Sequence, residues 1–312
     1  MNSIQAMEAE IGFQVNELPR LSLPKQTNTT NVLFVGSGDS YVASLVAQYA
    51  SHYKAICCRP IDIVFDPEIL TEHRMYIVSN SGNTKQNILA ARLARKKQIS
   101  TIAITSKPRS KLATYCDKVI EVNYKNTGIP TSGTISFTAS MLSCISLIRK
   151  IKGLDAISNI YKQTQNEVEN LIESMSDRVS PYIFLGDGIF FPVAIYGALK
   201  MNEVFGLKSI AYPLEEFCHS PIFSIKKNDK IIVIRGFNYD SSTSRLLSKK
   251  LTQMNFSSIY VDCSNKSFTE ALLKSVLFIQ LFIVRLALNK GLKCCHFLKN
   301  RELLKTSSDL IY

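Results

Sequence analysis

Residues 32–50 read VLFVGSGDSYVASLVAQYA, and residues 182–200 read YIFLGDGIFFPVAIYGALK. Each is a short apolar strand, then Gly-x-Gly, then a run with apolar residues at helical spacing. A strand that is apolar at every position is buried on both faces, the mark of a parallel sheet covered by helices. The recurrence of the same pattern in the second half of the chain points to internal duplication.

Outward from these two stretches, strands and helices alternate. A first helix is predicted over Ser3–Val15. The segment KAICCRPIDIVF (54–65) holds a strand, MYIVSN (75–80) another, and NILAARLARKKQ (87–98) a helix. STIAITSKP (100–108) and DKVIEVNY (117–124) add two strands around a short helix. NTGIPTSGT (126–134) is a loop of turn formers. Helices are predicted over Ser136–Ile151 and Ala156–Met175. After the second Gly-x-Gly come strands DKIIVIRG (229–236) and SSIYVDC (257–263), with helices over Ser242–Thr252 and Ser267–Asn289. The reading is α/β, two doubly wound parallel-sheet domains of flavodoxin-like topology in tandem. Residues 1–152 form the first domain with its N-terminal helix. Residues 153–295 form the second with a helical linker, and residues 296–312 are a C-terminal tail that closes the active site.

The chain has 312 residues, 46% hydrophobic and 20% charged, enough for two α/β domains of ordinary size. No apolar run is expected to reach bilayer length, because SVLFIQLFIVRLALNKG (275–291) is interrupted by Arg285 and reads as a core helix. The N-terminus carries acids and lacks a signal-peptide pattern, so the expectation is cytoplasmic, with no membrane partner. The eight cysteines form no C-x-x-C pair and read as reduced structural thiols. With four histidines at no ligand spacing, neither a metal nor a cofactor is expected. His52, His73 and His296 read as surface or packing residues. The net charge of +12 favours anionic partners. No recognition helix or stacking-aromatic pattern accompanies it, so no nucleic acid is expected.

The turn Ser79-Asn80-Ser81-Gly82-Asn83-Thr84 joins a strand to a helix. Capping that helix needs one such residue. A run of short donors, with Gly82 letting the backbone approach, suits an anion with several acceptor oxygens held on unpaired helix N–H groups. The turn Ser37-Gly38-Asp39-Ser40 caps the helix after the first strand, and the two turns converge if ligand binds beyond the strands' carboxyl ends. It lacks the third glycine of a dinucleotide fingerprint and the G-K-[ST] of a P-loop.

The two turns together resemble the sugar isomerase (SIS) phosphosugar-binding domain, with its S-x-S-G-x-T hallmark. Nearly the whole chain is similar to the isomerase half of glutamine–fructose-6-phosphate aminotransferases (glucosamine-6-phosphate synthases), and to stand-alone archaeal-type glucosamine-6-phosphate deaminases. GALKMNEVFGLKSIAYPLEEFCHSP (197–221) resembles the synthase segment A-L-K-x-x-E followed by E-x-x-H-G-P. NRELLKTSS (300–308) resembles its ending P-R-N-L-A-K-S-V-T, and MEAEIGFQ (7–14) its N-terminal M-x-x-E-I-x-x-Q.

The resemblance implies a phosphate site of Ser37, Gly38, Ser40, Ser79, Asn80, Ser81, Thr84 and Ser132. It implies Glu203 as the base for the C1/C2 proton and Lys200 as a charge stabiliser near the reacting oxygen. It makes His219 the ring opener and Lys305 a Schiff-base former. These residue types suit the chemistry: a pocket carboxylate can move a carbon-bound proton, imidazole exchanges protons near neutral pH, and a lysine imine is an electron sink. It also implies a homodimer with a shared site, to which His219 comes from the neighbouring subunit. A polar tail with few apolar anchors has little reason to fold alone, so it is expected to be ordered by ligand.

The chain departs from the synthase pattern at several points. Ser220 replaces the glycine of H-G-P. Thr131-Ser132-Gly133-Thr134-Ile135 stands where the synthase has V-A-S-T-K. Phe237-Asn238-Tyr239 stands where a second S-x-S-G-x-T would fall, so one phosphate site per chain is expected, in the first domain. The sequence begins at the isomerase portion, so no glutaminase domain is expected within it. The leading reading is a phosphosugar enzyme that deaminates glucosamine 6-phosphate to fructose 6-phosphate plus ammonia. The alternatives are the isomerase component of a transaminase served by a separate glutaminase subunit, another phosphosugar isomerase or deglycase, and a non-catalytic phosphosugar sensor.

Overall fold

A computed structural model describes residues 1–71, 73–175, 180–236 and 241–312. In chain order these form α1 (Ser3–Glu17), β1 (Val32–Gly36), α2 (Asp39–Ala50), β2 (Ile56–Cys58), α3 (Pro60–Phe65), β3 (Arg74–Val78), α4 (Lys85–Lys96), β4 (Thr101–Thr105), β5 (Lys118–Glu121) and α5 (Ile135–Ile148). They continue as α6 (Ile157–Ser174), β6 (Tyr182–Gly186), α7 (Phe190–Phe205), β7 (Ile210–Tyr212), α8 (Leu214–His219), β8 (Lys230–Arg235), α9 (Ser241–Gln253), β9 (Ser257–Asp262), α10 (Phe268–Asn289), α11 (His296–Lys299) and α12 (Arg301–Ile311).

Two compact units result. The first-sheet unit comprises Arg20–Lys125, Ile135–Ile151 and Arg301–Tyr312. Its five strands are all parallel, in the order β2-β1-β3-β4-β5. Leu33, Val35, Met75, Ile77 and Ala103 point to one face and pack with Ile63 of α3 and Ile88, Ala91 and Ala94 of α4. Helices α2 and α5 pack together and against β1 and β4. Gly36 pairs in register with Val78, so the turns that follow β1 and β3 leave the sheet side by side at its carboxyl edge.

The second-sheet unit comprises Met1–Pro19, Asn126–Thr134 and Lys152–Asn300. Its strands are parallel in the order β7-β6-β8-β9, the same winding with one strand fewer. Ile183, Leu185, Ile231 and Val233 pack with Leu214 and Phe217 of α8 and Leu247 and Leu251 of α9. Helix α10 packs against α6, α7 and α1. The fold is therefore α/β with two parallel sheets of flavodoxin-like order, as the sequence predicts.

Several local expectations change. The N-terminal helix, expected with the first domain, packs on α6 and α10 of the second sheet. Asn2 starts it with a capping box, and its apolar face of Ile4, Met7 and Ile11 is buried there. The segment 54–65 holds the expected strand as β2, and it also holds α3, which Pro60 begins with its missing N–H at a position that needs none. The edge strand β7 escaped the sequence reading, being three residues long. By length and hydropathy α10 does reach a bilayer span (22 residues, mean hydropathy 2.0). With 83% of its most apolar 18 residues buried, it is a core helix that continues through Arg285. Arg285 is accommodated by Glu8 at 2.7 Å and Glu169 at 3.4 Å. The tail, expected to be ordered only by ligand, already forms helices α11 and α12. The segment Phe237-Asn238-Tyr239 lies outside the described residues.

All eight cysteines are free thiols, and burial pushes Cys144 and Cys263 up to about 12, which suits packing and not nucleophilic use. Among the described residues no three histidine, cysteine or carboxylate side chains gather at metal-ligand spacing.

Candidate functional site

The first-sheet unit presents the polar turns. After β3 the chain turns through Gly82 at φ +63°. A Cβ there would lie 2.0 Å from the Ser110 hydroxyl, so only glycine fits. The N–H of Gly82 donates to Ser79 Oγ at 3.2 Å and the N–H of Asn83 to Ser81 Oγ at 3.3 Å. Ser79, 3% exposed, is thus an internal brace. Ser81 accepts its bond and keeps its own proton to donate. Asn80 is held by Tyr124, whose hydroxyl donates to Asn80 Oδ1 at 2.6 Å, and by Thr105 and Ser106 donating to its carbonyl. Thr84 sits at the N-cap of α4 with no side-chain cap bond. Among the described residues the hydroxyls of Ser37, Ser40 and Thr84 have no partner, and the first-turn amides of α4 have no intrahelical acceptor.

The neighbouring turn after β1 places Gly38 at φ +55° and caps α2. A cleft of about 480 Å³ adjoins the β3–α4 turn, lined by Ser81, Asn83, Lys107, Pro108, Arg109 and Ser110. Its charged lining is entirely cationic. Lys107 and Arg109 went unread in the sequence, although the basic run KPRSK after β4 carries them. Lys85, the first residue of α4, reaches the carbonyl of Asp309 in α12 at 2.5 Å. That contact ties the helix bearing exposed Lys305 to the helix that begins at the polar turn.

The second-sheet unit presents an ionic cluster. Glu203 lies on α7 and Lys200 one turn before it, on the same face. Lys200 is fully buried, and its Nζ donates to Glu203 Oε2 at 2.6 Å. The Tyr196 ring lies 5.3 Å from the same ammonium, a cation–π contact. Ser132, 1% exposed, donates its hydroxyl to Glu203 Oε2 at 2.6 Å. Two strong donors therefore hold one carboxylate oxygen. Among the described residues Oε1 has no hydrogen-bond partner, and the side chain is 38% exposed. A carboxylate anchored through one oxygen and open at the other is arranged to take a proton.

Ser132 was expected among the phosphate ligands. The structure instead places its loop in the second-sheet unit and commits its hydroxyl to Glu203. His219 ends α8 and is exposed. The start of α8 is fixed by Asp187, whose Oδ1 accepts from the N–H of Leu214 at 2.9 Å. His296 packs its ring against Gly206 at the end of α7.

Residues 27–149 match the family described as SIS domain, and this stretch contains both polar turns. The chain is 28% identical over 265 residues to the isomerizing glutamine–fructose-6-phosphate aminotransferase of Sulfurisphaera tokodaii. That match covers 78% of this chain and 43% of the relative, so the chain spans less than half of the enzyme it resembles. Among solved structures, the fold is similar to glucosamine-6-phosphate deaminase of Thermotoga maritima (TM-score 0.77, 23% identity, 92% of this chain and 96% of that one). It is also similar to the C-terminal domain of glucosamine-fructose-6-phosphate aminotransferase from Francisella tularensis (TM-score 0.69, 20% identity, 93% and 94%).

Proposed function

We propose that the chain is a phosphosugar enzyme that converts glucosamine 6-phosphate and water to fructose 6-phosphate and ammonia. The observation that carries this reading is the Glu203 carboxylate, held at Oε2 by Lys200 and Ser132 and open at Oε1. Neither a sensor nor a plain binding module needs a half-exposed carboxylate clamped in this way.

The roles follow from chemistry. Ser37, Gly38, Ser40, Ser81 and Thr84 hold the phosphate with hydroxyls and helix N–H groups, with Ser79 and Asn80 shaping the turn. His219 opens the sugar ring. Glu203 takes the C2 proton and returns it at C1, while Lys200 stabilises charge on the neighbouring oxygen. Lys305 exchanges with the resulting imine at C2 and releases ammonia, and water then frees the ketose. The reading includes a cytoplasmic homodimer in which His219 of one subunit completes the site of the other. A second SIS-type domain over the β6–β9 sheet is part of it.

One other reading has a specific observation behind it. The curated relatives are aminotransferases, so the same site run in reverse would aminate fructose 6-phosphate, with ammonia from a separate glutaminase subunit. One experiment separates the readings. Purified protein is given glucosamine 6-phosphate, other amino and neutral hexose 6-phosphates, and fructose 6-phosphate with ammonium, and ammonia and ketose are assayed independently. Ammonia and ketose appearing together from the amino sugar supports deamination. Ketose without ammonia, from a neutral sugar only, replaces it with simple isomerisation. No turnover of any member returns the chain to the sensor reading.

A further inference from the structure

Glu10, Gln14 and Gln280 are three polar side chains sealed in the second-sheet unit, 6%, 0% and 0% exposed. Burying an amide is costly unless its hydrogen bonds are made, so a buried polar network in an apolar helix pair calls for a purpose. The first two belong to the M-x-x-E-I-x-x-Q stretch, which the proposed chemistry leaves unused. Gln280 lies in the apolar run FIQLFIV of α10.

The bonds run in one direction. Gln14 Nε2 donates to Gln280 Oε1 at 2.6 Å. Gln280 Nε2 donates to the carbonyl of Thr134 at 3.2 Å and to Tyr196 Oη at 3.1 Å. Tyr196 Oη donates to the carbonyl of Gly133 at 2.6 Å. At the other end of the loop, Glu10 Oε1 accepts from the N–H and hydroxyl of Thr127 at 3.0 and 2.8 Å, and Oε2 accepts from Thr131 Oγ1 at 3.1 Å. The loop is therefore gripped at residues 127, 131, 133 and 134. The residue between the grips is Ser132, whose hydroxyl meets Glu203. Tyr196 serves twice, its hydroxyl on the loop and its ring against the Lys200 ammonium.

We infer that Glu10, Gln14, Tyr196 and Gln280 are positioning residues for the base, a relay from α1 and α10 that sets the Ser132 hydroxyl on Glu203 Oε2 and leaves Oε1 for substrate. The inference rests on reading Glu203 as the base. The Ser132 backbone also bonds to the buried Cys295 thiol, which places the residue, while the relay sets the loop on either side of it and so the direction of its hydroxyl. With the relay, the second donor on Oε2 is fixed before substrate arrives, and the carboxylate cannot rotate to present the occupied oxygen.

The test uses the full chain and the variants Gln280→Met, Tyr196→Phe and Ser132→Ala, alone and as the Gln280→Met/Ser132→Ala pair. Each single variant should lower kcat for glucosamine 6-phosphate by about tenfold with KM nearly unchanged, the size of one lost hydrogen bond to a charged group. Ser132→Thr, which keeps the hydroxyl, should recover most of the rate. If the relay acts through Ser132, Gln280→Met should have no further effect on kcat once Ser132 is alanine. Equal losses in both backgrounds would reduce Gln280 to a packing residue and overturn the inference. Hydrogen exchange of the amides over 127–134 gives a readout that needs no turnover. Gln280→Met should speed it, and unchanged exchange would overturn the relay even in an active enzyme. Tyr196→Phe keeps the ring and loses only the hydroxyl, so it serves if Gln280→Met does not fold. A wild type that turns over nothing defeats the proposed function, while exchange still decides the clamp.

Discussion

The β1–α2 and β6–α7 turns share a backbone and differ in chemistry. Gly36 and Gly186 end their strands where a Cβ would lie 2.7 Å from the backbone of Ser40 and 2.6 Å from that of Phe190. Gly38 and Gly188 both take positive φ, +55° and +52°. Between the glycines the first turn has Ser37 and the second Asp187. The first continues with Asp39-Ser40, the second with Ile189-Phe190. Asp187 is pushed up from the ordinary carboxylate range by burial, against the lowering bond from the Leu214 N–H and with Glu215 adding to the rise. A carboxylate at that position repels an anion, while a serine there donates to one. The two halves keep the same strand-to-helix frame. One half is dressed for an anion and the other carries the carboxylate–lysine pair.

The largest effect expected from breaking this division of labour is at Glu203. Glu203→Gln should cut kcat by about 10²–10⁴-fold while sugar-phosphate binding in calorimetry stays close to wild type. Solvent deuterium entering C1 or C2 at the normal rate in this variant would remove Glu203 from the chemistry. On the anion side, Ser81→Ala and Thr84→Ala should each weaken binding by roughly 1.5–3 kcal/mol, raising KM with kcat largely kept. Unchanged calorimetric affinity in both would move the phosphate elsewhere.

The shared frame is tested by Gly36→Ala and Gly186→Ala. Each Cβ would meet backbone, which cannot swing aside, so both should lose about 1–3 kcal/mol of stability in denaturant unfolding. A large loss at one and none at the other would mean the two turns are not equivalent. Smaller again is the pH effect of Asp187. A carboxyl whose pKa is raised on folding binds more protons in the native state than in the unfolded state. Stability therefore falls as pH climbs above the unfolded value near 3.8 towards the raised folded one. Asp187→Asn, which can still accept from Leu214, should flatten that part of the stability profile. An unaltered profile would place the strain elsewhere.

Much of the fold was legible because it is written in local periodicity. Fully apolar strands, Gly-x-Gly turns and helical spacing identify β1, β3, β6 and β8 and the helices after β1, β3 and β6 without any partner. The short edge β7 was not legible, its three residues being too few for a pattern. The tail misled for a related reason. Its polar composition suggested a segment awaiting ligand, whereas helix α12 also has the Lys85 contact to Asp309 to hold it. In the site, the Lys200–Glu203 pair was legible because it lies within one helical turn. The cationic cleft of Lys107 and Arg109 was overlooked because scattered lysines usually mark a solvated face.

The amino-acid sequence by itself determined the two strand–glycine–helix frames, the polar turn from Ser79 to Thr84 and the candidate acid, base and lysine groups. Each depends on neighbours within a few residues, where spacing dictates which side chains share a face or a turn. Only the tertiary structure decided which oxygen of Glu203 is held and which is open. It also decided that Ser132 bonds to Glu203 and that the N-terminal helix belongs with the second sheet. Those outcomes depend on Ser132 meeting Glu203 and Gln14 meeting Gln280, pairs separated by 71 and 266 residues in the chain. A buried amide or hydroxyl must find its partner wherever packing brings one, and no local spacing records that choice.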